Sequence, residues 1–591
     1  MPLADEKTSA FSSCVEAGGS LPRGLRRGAN RAETLERSRI LSEVMDPESL
    51  SLAQAVEKRR TFAIISHPDA GKTTLTEKLL LYGGAINTAG QVAARRRARS
   101  ATSDWMELER ERGISITSTV LQFPYKGHTL NLLDTPGHQD FGEDTYRTLL
   151  AADSAVMLID AAKGVEPQTK KLFAICRARR IPLFTFINKM DRPSRDPLEL
   201  LDELEKVLGI GTYPINWPIG SGPAFRGVYD RRSHVVHTFE RTEHGSKRAP
   251  VRVSDLDDPN LASLTDETTY REYRDGLELL EGAGTSFDRA AFMSGDATPV
   301  FFGSAVTNFG VELFLDGFLE MAPPPRARMA LRAGENAPEL VPPASDQFSG
   351  FVFKIQANMD PRHRDRVAFL RVCSGKFERD MTVRNTRTGK DVRVTRAMKL
   401  FASDREVVDE AYAGDVVGLA NPGSFAIGDT LCTGAAMAFD RIPSFAPEHF
   451  ASVRNVDTGS YKSFQKGVAQ LSEEGAIQVF YPAGAVRTEP VFAAVGELQF
   501  EVAKYRLQSE YNVKTEFYRL PYGLARRVRG DAATIAAATW PSNAKLVEDD
   551  AGNPVALFES EWSMRLAQDW NPQLAFDSFA DGAPPLETLA S

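Results

Sequence analysis

Phe62-Ala63-Ile64-Ile65-Ser66-His67-Pro68-Asp69-Ala70-Gly71-Lys72-Thr73-Thr74-Leu75 decides the fold. Its first four residues form an apolar run suited to a buried strand. From Thr73 onward, Leu75 and Leu79 share one helical face. A loop of this kind between strand and helix wraps phosphates with backbone N–H groups at a helix N-terminus. Ser66, His67, Pro68, Asp69, Ala70, Gly71, Lys72, Thr73 and Thr74 are therefore expected to line a nucleotide site. Lys72 is expected to reach the β and γ phosphates, and the Thr73 hydroxyl to ligate Mg²⁺. Ser66 stands where this motif usually begins with glycine. A chance Gly-Lys-Thr would look the same locally, so the reading depends on the segments downstream in the chain.

A second apolar run, Leu130 to Leu133, delivers Asp134-Thr135-Pro136-Gly137-His138. Asp134 is placed to hold Mg²⁺ through a water. Gly137, without a Cβ, permits close approach of its N–H to the γ-phosphate. A lone histidine is usually a solvated surface residue. Directly after Asp-Thr-Pro-Gly, His138 is read instead as the group that orients the attacking water. Between these elements, Arg110 to Thr117 reads as a mobile switch segment. Ser115 is the first choice for its Mg²⁺-binding hydroxyl, with Thr117 as the alternative. Ile114 and Pro68 are candidates for an apolar gate beside His138.

Ile181 to Ile187 leads to Asn188-Lys189-Met190-Asp191. The Asp191 carboxylate suits the guanine ring N–H and exocyclic amine together, a pair that adenine does not present. The Lys189 stem is suited to lie along the base, and Asn188 to tie the loops together. Ser304-Ala305, after Val300-Phe301-Phe302-Gly303, is expected to offer backbone N–H groups to the guanine keto oxygen. Asp191 and Ser304 lie 113 positions apart. A plain doubly wound domain needs far less there, so an inserted subdomain is expected near 217–296.

At 42% hydrophobic and 25% charged, the composition is that of an ordinary globular chain. No apolar run approaches the ~20 residues of a membrane helix. The cysteines Cys14, Cys176, Cys373 and Cys432 are scattered, which disfavours a disulfide framework and fits a reducing, cytoplasmic setting. With a net charge of −8, nucleic-acid contact must come from local basic patches. Candidates are Lys58-Arg59-Arg60, Arg95-Arg96-Arg97 with Arg99, Arg362 to Arg366, and Arg526 to Arg529. Each alone is usually a solvated face. The Arg95 run precedes the switch segment and is the one suited to touch RNA phosphate.

Proline, glycine and charge punctuation divide the chain into domains. Residues 1–50 form a disordered extension, with Met45 a candidate true start. Residues 51–325 form an α/β P-loop GTPase domain with a mostly parallel, doubly wound sheet. A proline-stiffened linker covers 326–347. Short alternating strands over 348–445 predict a β-barrel. Residues 446–545 predict an α+β sandwich domain, with Leu498, Val502 and Tyr505 on one core-facing helical stripe. Residues 546–591 are acidic, poorly patterned and expected to be a tail.

That order of parts resembles the translational GTPases, the family of elongation factor G, and more closely its release-factor branch. The resemblance is carried by Arg59 to Lys72, Ser103-Asp104-Trp105-Met106-Glu107, Gln356 to Pro361, Arg364 to Phe369 and Gln470 to Ala476. It implies a monomeric, ribosome-dependent hydrolase of GTP to GDP, working with Mg²⁺. Its task would be to promote dissociation of class I release factors once the peptide is freed, with ribosomal RNA pressing His138 into place. Only residues 546–591 follow the third domain, whereas elongation factor G carries two further domains, which argues against translocation. The alternatives are a different ribosomal GTPase task, such as back-translocation or ribosome protection, and a nucleotide-gated scaffold without turnover.

Overall fold

A computed structural model describes residues 47–85, 116–239, 251–255, 265–284, 286–357, 366–401, 404–484 and 489–579. The first domain runs β1 (Arg59–Ser66), α1 (Lys72–Tyr82), β2 (Thr119–Tyr125), β3 (His128–Asp134), α2 (Gly142–Ala151), β4 (Ser154–Asp160), α3 (Pro167–Ala178), β5 (Leu183–Asn188), α4 (Pro197–Leu208) and β6 (Gly211–Pro214). An inserted unit comes next, with β7 (Asn216–Ile219), β8 (Gly227–Asp230), β9 (Val235–Phe239), β10 (Val251–Asp255) and α5 (Glu267–Gly282). The chain returns through α6 (Arg289–Ser294), β11 (Ala297–Phe302) and α7 (Val311–Met321).

The main sheet has the order β2-β3-β1-β4-β5-β11-β6. Its strands pair in parallel except at β2–β3. β4 and β5 are buried along their whole length, as continuous apolar runs require when helices cover both faces of a sheet. The loops at the carboxyl ends of β1, β3, β4, β5 and β11 converge, which is where open α/β sheets bind ligands. The inserted sheet, β10-β9-β8-β7, is antiparallel and separate, so it adds a body without interrupting the parallel core.

Expectation and structure differ over the segment 326–347. Strand Arg328–Arg332 pairs with Glu339–Val341 on one side and Met437–Phe439 on the other, burying Ala330, Val341 and Met437. Prolines mark its ends, while the alternation between them makes a small sheet. The next domain is antiparallel and centred on strands Ser349–Ala357, Arg366–Ser374 and Val416–Ala420. It joins the first domain through buried polar contacts. Thr61 donates to the Gly414 carbonyl at 2.6 Å, and Arg59 meets Asp415 at 2.7 Å. The fully buried Arg371 reaches Thr61, Gly414 and Asp153. Arg60 is itself buried, so the basic cluster at Lys58 is partly structural rather than a solvated face.

The third domain contains α8 (Tyr461–Glu473) and α9 (Leu498–Tyr511) against an eight-stranded sheet. That sheet includes Ala544–Asp549, Pro554–Phe558 and Ala575–Asp577, with helix Glu561–Trp570 packed beside it. The expected tail from 546 is thus folded through most of its length. Its acids are turn formers: Asp549 accepts from the Ala551 and Asn553 amides. Val547, Val555, Leu557 and Phe558 are buried. At the other end, helix Pro47–Glu57 crosses the expected boundary at residue 50.

Candidate functional site

The loop after β1 bends because Asp69 and Gly71 take positive φ, 66° and 102°. A Cβ at Gly71 would stand 2.4 Å from Asn188 Nδ2, so only glycine fits. Gly71 caps α1 without a side-chain hydrogen bond, leaving the helix N-terminus open to a ligand. A cavity of about 230 Å³ lies here, lined by Ser66, His67, Pro68, Asp69, Gly71, Lys72, Thr73, Thr74, Gly137 and His138. Ala70, buried, is not among its walls and instead gives its carbonyl to Asn188.

The polar atoms around this cavity fit an anion. The buried Ser66 hydroxyl has no protein partner, so a phosphate oxygen can accept from it. Lys72 Nζ donates to Asp134 Oδ1 at 2.7 Å, both side chains being nearly inaccessible. A hydroxyl at Thr73 and a carboxylate at Asp134 are hard oxygen donors of the type Mg²⁺ takes alongside phosphates and water. Among the described residues no cluster of three acidic, His or Cys side chains forms a self-sufficient metal site.

Thr135 and Pro136 brace the loop rather than line the cavity. The Thr135 hydroxyl donates to the Ile64 carbonyl at 2.6 Å, and the Pro136 carbonyl accepts from Thr145. Pro68 lies against Gly137, its backbone 3.7 Å from where a Cβ would be. Ser115, Ile114 and the Arg95 to Arg99 run fall outside the described residues. Thr117, the alternative Mg²⁺ hydroxyl, lines a different cavity, where the first domain meets the barrel and the third domain.

His138 stands where the chain enters a short 3₁₀ turn, Gln139–Phe141. The Asp140 N–H donates to His138 Nδ1 at 3.2 Å. In the neutral ring this places the proton on Nε2, so the free nitrogen is a donor.

At the base end, Asn188 ties two loops: Nδ2 donates to the Ala70 carbonyl and Oδ1 accepts from the Ala305 N–H, both at 2.9 Å. Lys189 Nζ donates to the Asp69 carbonyl at 2.5 Å and to Asp160 Oδ2 at 2.8 Å. Ser304 Oγ donates to Asp191 Oδ1 at 2.7 Å, fixing the carboxylate. The Ser304 and Ala305 N–H groups, expected at a guanine keto oxygen, here meet Phe309 O and Asn188 Oδ1.

Asp160 is a site residue that motif reading missed. Burial would raise its pKa, but the Lys189 hydrogen bond and the Ala162 N–H outweigh that and hold it below the ordinary carboxylate range. The available signal was its place at the end of an apolar run, in register with Asn188.

Comparison with known proteins agrees with this geometry. Residues 57–324 match the elongation factor Tu GTP binding domain, 347–434 the elongation factor G domain 2, and 439–568 the class II release factor RF3 C-terminal domain. The chain is 58% identical to peptide chain release factor 3 of Gloeobacter violaceus, over 90% of this chain and 99% of that one. It is 58% identical to the protein of the same name from Synechococcus elongatus, over 91% and 96% respectively. A crystal structure of a Thermus thermophilus protein superposes with a TM-score of 0.62, at 24% identity, over 80% of this chain and 71% of that one.

Proposed function

The chain belongs to the peptide chain release factor 3 family of translational GTPases, and from that premise we propose that it hydrolyses GTP on the ribosome to drive class I release factors off after peptide release. What supports the reading is a single continuous network. Asn188 joins the phosphate loop, which carries Lys72, to the segment at Ser304 that holds Asp191. A guanine grip at one end and a phosphate grip at the other are thereby fixed relative to each other. Asp191, a carboxylate aimed by Ser304, sets GTP over ATP.

Lys72 holds the β and γ phosphates, and Gly137 offers its N–H to the γ-phosphate. Thr73 and Asp134 would hold Mg²⁺, with Ser115 the proposed further hydroxyl. Bound there, the ion neutralises charge developing on the transferred phosphoryl group. His138 presents Nε2–H to the attacking water and fixes its lone pairs; it does not need to remove the proton. Turnover by the protein alone is slow. By analogy with other activated GTPases, ribosomal contact adds about 10³–10⁵-fold, or about 4–7 kcal/mol off the barrier.

The protein acts as a cytoplasmic monomer. Among the described residues no helix is long and apolar enough to cross a membrane. The buried, unpaired thiols Cys176, Cys373 and Cys432 suit a reducing compartment.

The test is class I factor recycling on purified termination complexes, with GTP against a non-hydrolysable analogue. Faster factor release with GTP is expected, and with the analogue the protein itself should stay on the ribosome. Factor-independent tRNA movement, or recycling indifferent to nucleotide, would refute the assignment.

A further inference from the structure

We propose that Asp140 is a positioning residue for His138 and that the N-terminal turn of α9, in the third domain, sets it. The inference rests on the hydrolytic role given to His138 above. Asp140 holds His138 by one hydrogen bond, its N–H donating to Nδ1 at 3.2 Å; its Oδ1, 3.3 Å from the same nitrogen, makes no hydrogen bond to the neutral ring. Its other oxygen, Oδ2, accepts from the Leu498 N–H at 2.9 Å, across 358 positions of chain. The residue before α9, Glu497, makes no side-chain cap, and a carboxylate from the first domain takes the Leu498 N–H.

The fit at this contact is close. A Cβ on Gly496 would lie 2.1 Å from Asp140 Cγ. Beside it, Ile116, Phe141, Leu498 and Val502 form one buried cluster, with Tyr505 at its edge. The stripe Leu498, Val502 and Tyr505, expected in the third domain's own core, is therefore an interdomain contact. It packs on the end of the switch segment and on the residue that follows Asp140. With α9 docked, the carboxylate and the turn at 138–141 have one arrangement. With α9 withdrawn, Oδ2 loses its donor, and the turn that presents the Asp140 N–H to the imidazole loosens. The position of the third domain is thus read by the water-orienting residue.

The test is ribosome-stimulated, single-turnover GTP hydrolysis by the full chain and five variants. These are His138→Ala, Asp140→Ala, Asp140→Asn, Gly496→Ala and the double variant His138→Ala/Asp140→Ala. Asp140→Ala should lower kcat about 10–100-fold, the loss typical of removing a group that orients a functional side chain, with the ribosome KM within about threefold. Asp140→Asn keeps an oxygen for the Leu498 N–H and should recover part of that loss. In the His138→Ala background, Asp140→Ala should cost nothing further, because it acts through the ring. Gly496→Ala should reproduce the kcat loss from outside the GTPase domain, with GDP affinity unchanged as a control for folding. The proposal fails if the two losses multiply in the double variant, or if Gly496→Ala hydrolyses at the parent rate. If His138→Ala itself keeps the parent rate, the role of His138 is refuted and this inference with it. If His138→Ala is slow while Asp140→Ala and Gly496→Ala hydrolyse at the parent rate, only the Asp140 link is refuted.

Discussion

Gly71→Ala tests whether the phosphate loop and the base-reading loop are one device. At φ 102° an L residue is strained, by roughly 1–2 kcal/mol for a left-handed conformation. The added methyl would also lie 2.4 Å from Asn188 Nδ2, which must move. Moving it breaks the bond to Ala70 O and pulls Oδ1 from the Ala305 N–H, at about 1 kcal/mol each. The total is about 3–4 kcal/mol. If the strained loop persists without ligand, the effect appears as lost folding stability. If the loop relaxes and must be reshaped by the nucleotide, it appears as lost affinity, up to about 10²–10³-fold at ~1.4 kcal/mol per decade. The assay is therefore paired: titration with a fluorescent GDP, and thermal unfolding of the unliganded chain. The two losses together should reach about 3 kcal/mol. A variant that binds GDP within threefold of the parent and melts at the parent temperature would refute the shared-loop geometry.

Asp191→Asn keeps an oxygen for Ser304 but loses the charge. It should weaken GTP binding by at least about tenfold, since hydrogen bonds to charged groups are worth about 1.5–3 kcal/mol; competition assays should show xanthine nucleotides gaining. Lys354→Met removes the cation that donates to Ser118 and faces Asp144 at 3.5 Å. Leaving that part-buried carboxylate with only Arg147 and the Ser118 N–H should cost about 1.5–3 kcal/mol, read as a lowered denaturant midpoint. Burial would raise the Asp144 pKa, but Lys354, Arg147 and Ser118 outweigh it and hold it below the ordinary 3.8. Its stabilisation is therefore complete above about pH 4 and lost as pH falls through the lower folded value; Asp144→Asn should flatten that acid limb of the stability curve.

The parts legible in sequence were those where chemistry is written in consecutive residues. Ser66 to Thr74, Asp134 to His138, and Asn188 to Asp191 each follow an apolar strand, and the sheet brings their ends together. What was not legible depends on partners hundreds of positions away. Asp140, Asp160 and Lys354 are ordinary charged residues until the fold supplies Leu498, Lys189 and Ser118. The stripe at Leu498 was read correctly as buried but assigned to the wrong core, because periodicity reports that a face is covered and not by what. The C-terminal acids were misread for a related reason. Asp549 looks like the start of a solvated tail unless the following Val555 and Leu557 are seen as its returning strand.

The contacts that join the domains differ in kind, and the difference orders their failure. The barrel is attached to regular strands of the first domain through Arg59, Thr61 and Asn131, and through the buried pair Arg371–Asp153. Those strands lie in the sheet, and a further barrel residue, Lys354, reaches Ser118 beside the switch segment. Breaking one side of a fully buried pair costs about 3–5 kcal/mol. The third domain instead holds the switch region by the Leu498–Asp140 bond and a small apolar cluster. One part-buried bond to a carboxylate is worth about 1.5–3 kcal/mol. Inverting a two-state population takes about 5 kcal/mol, a demand that the weaker joint and its cluster meet together while the barrel joint stays closed. Residues 138–141 therefore meet only the weaker joint, whereas residues 116–118 are tied to both domains, to the third through Ile116 and to the barrel through Lys354 and Ser118.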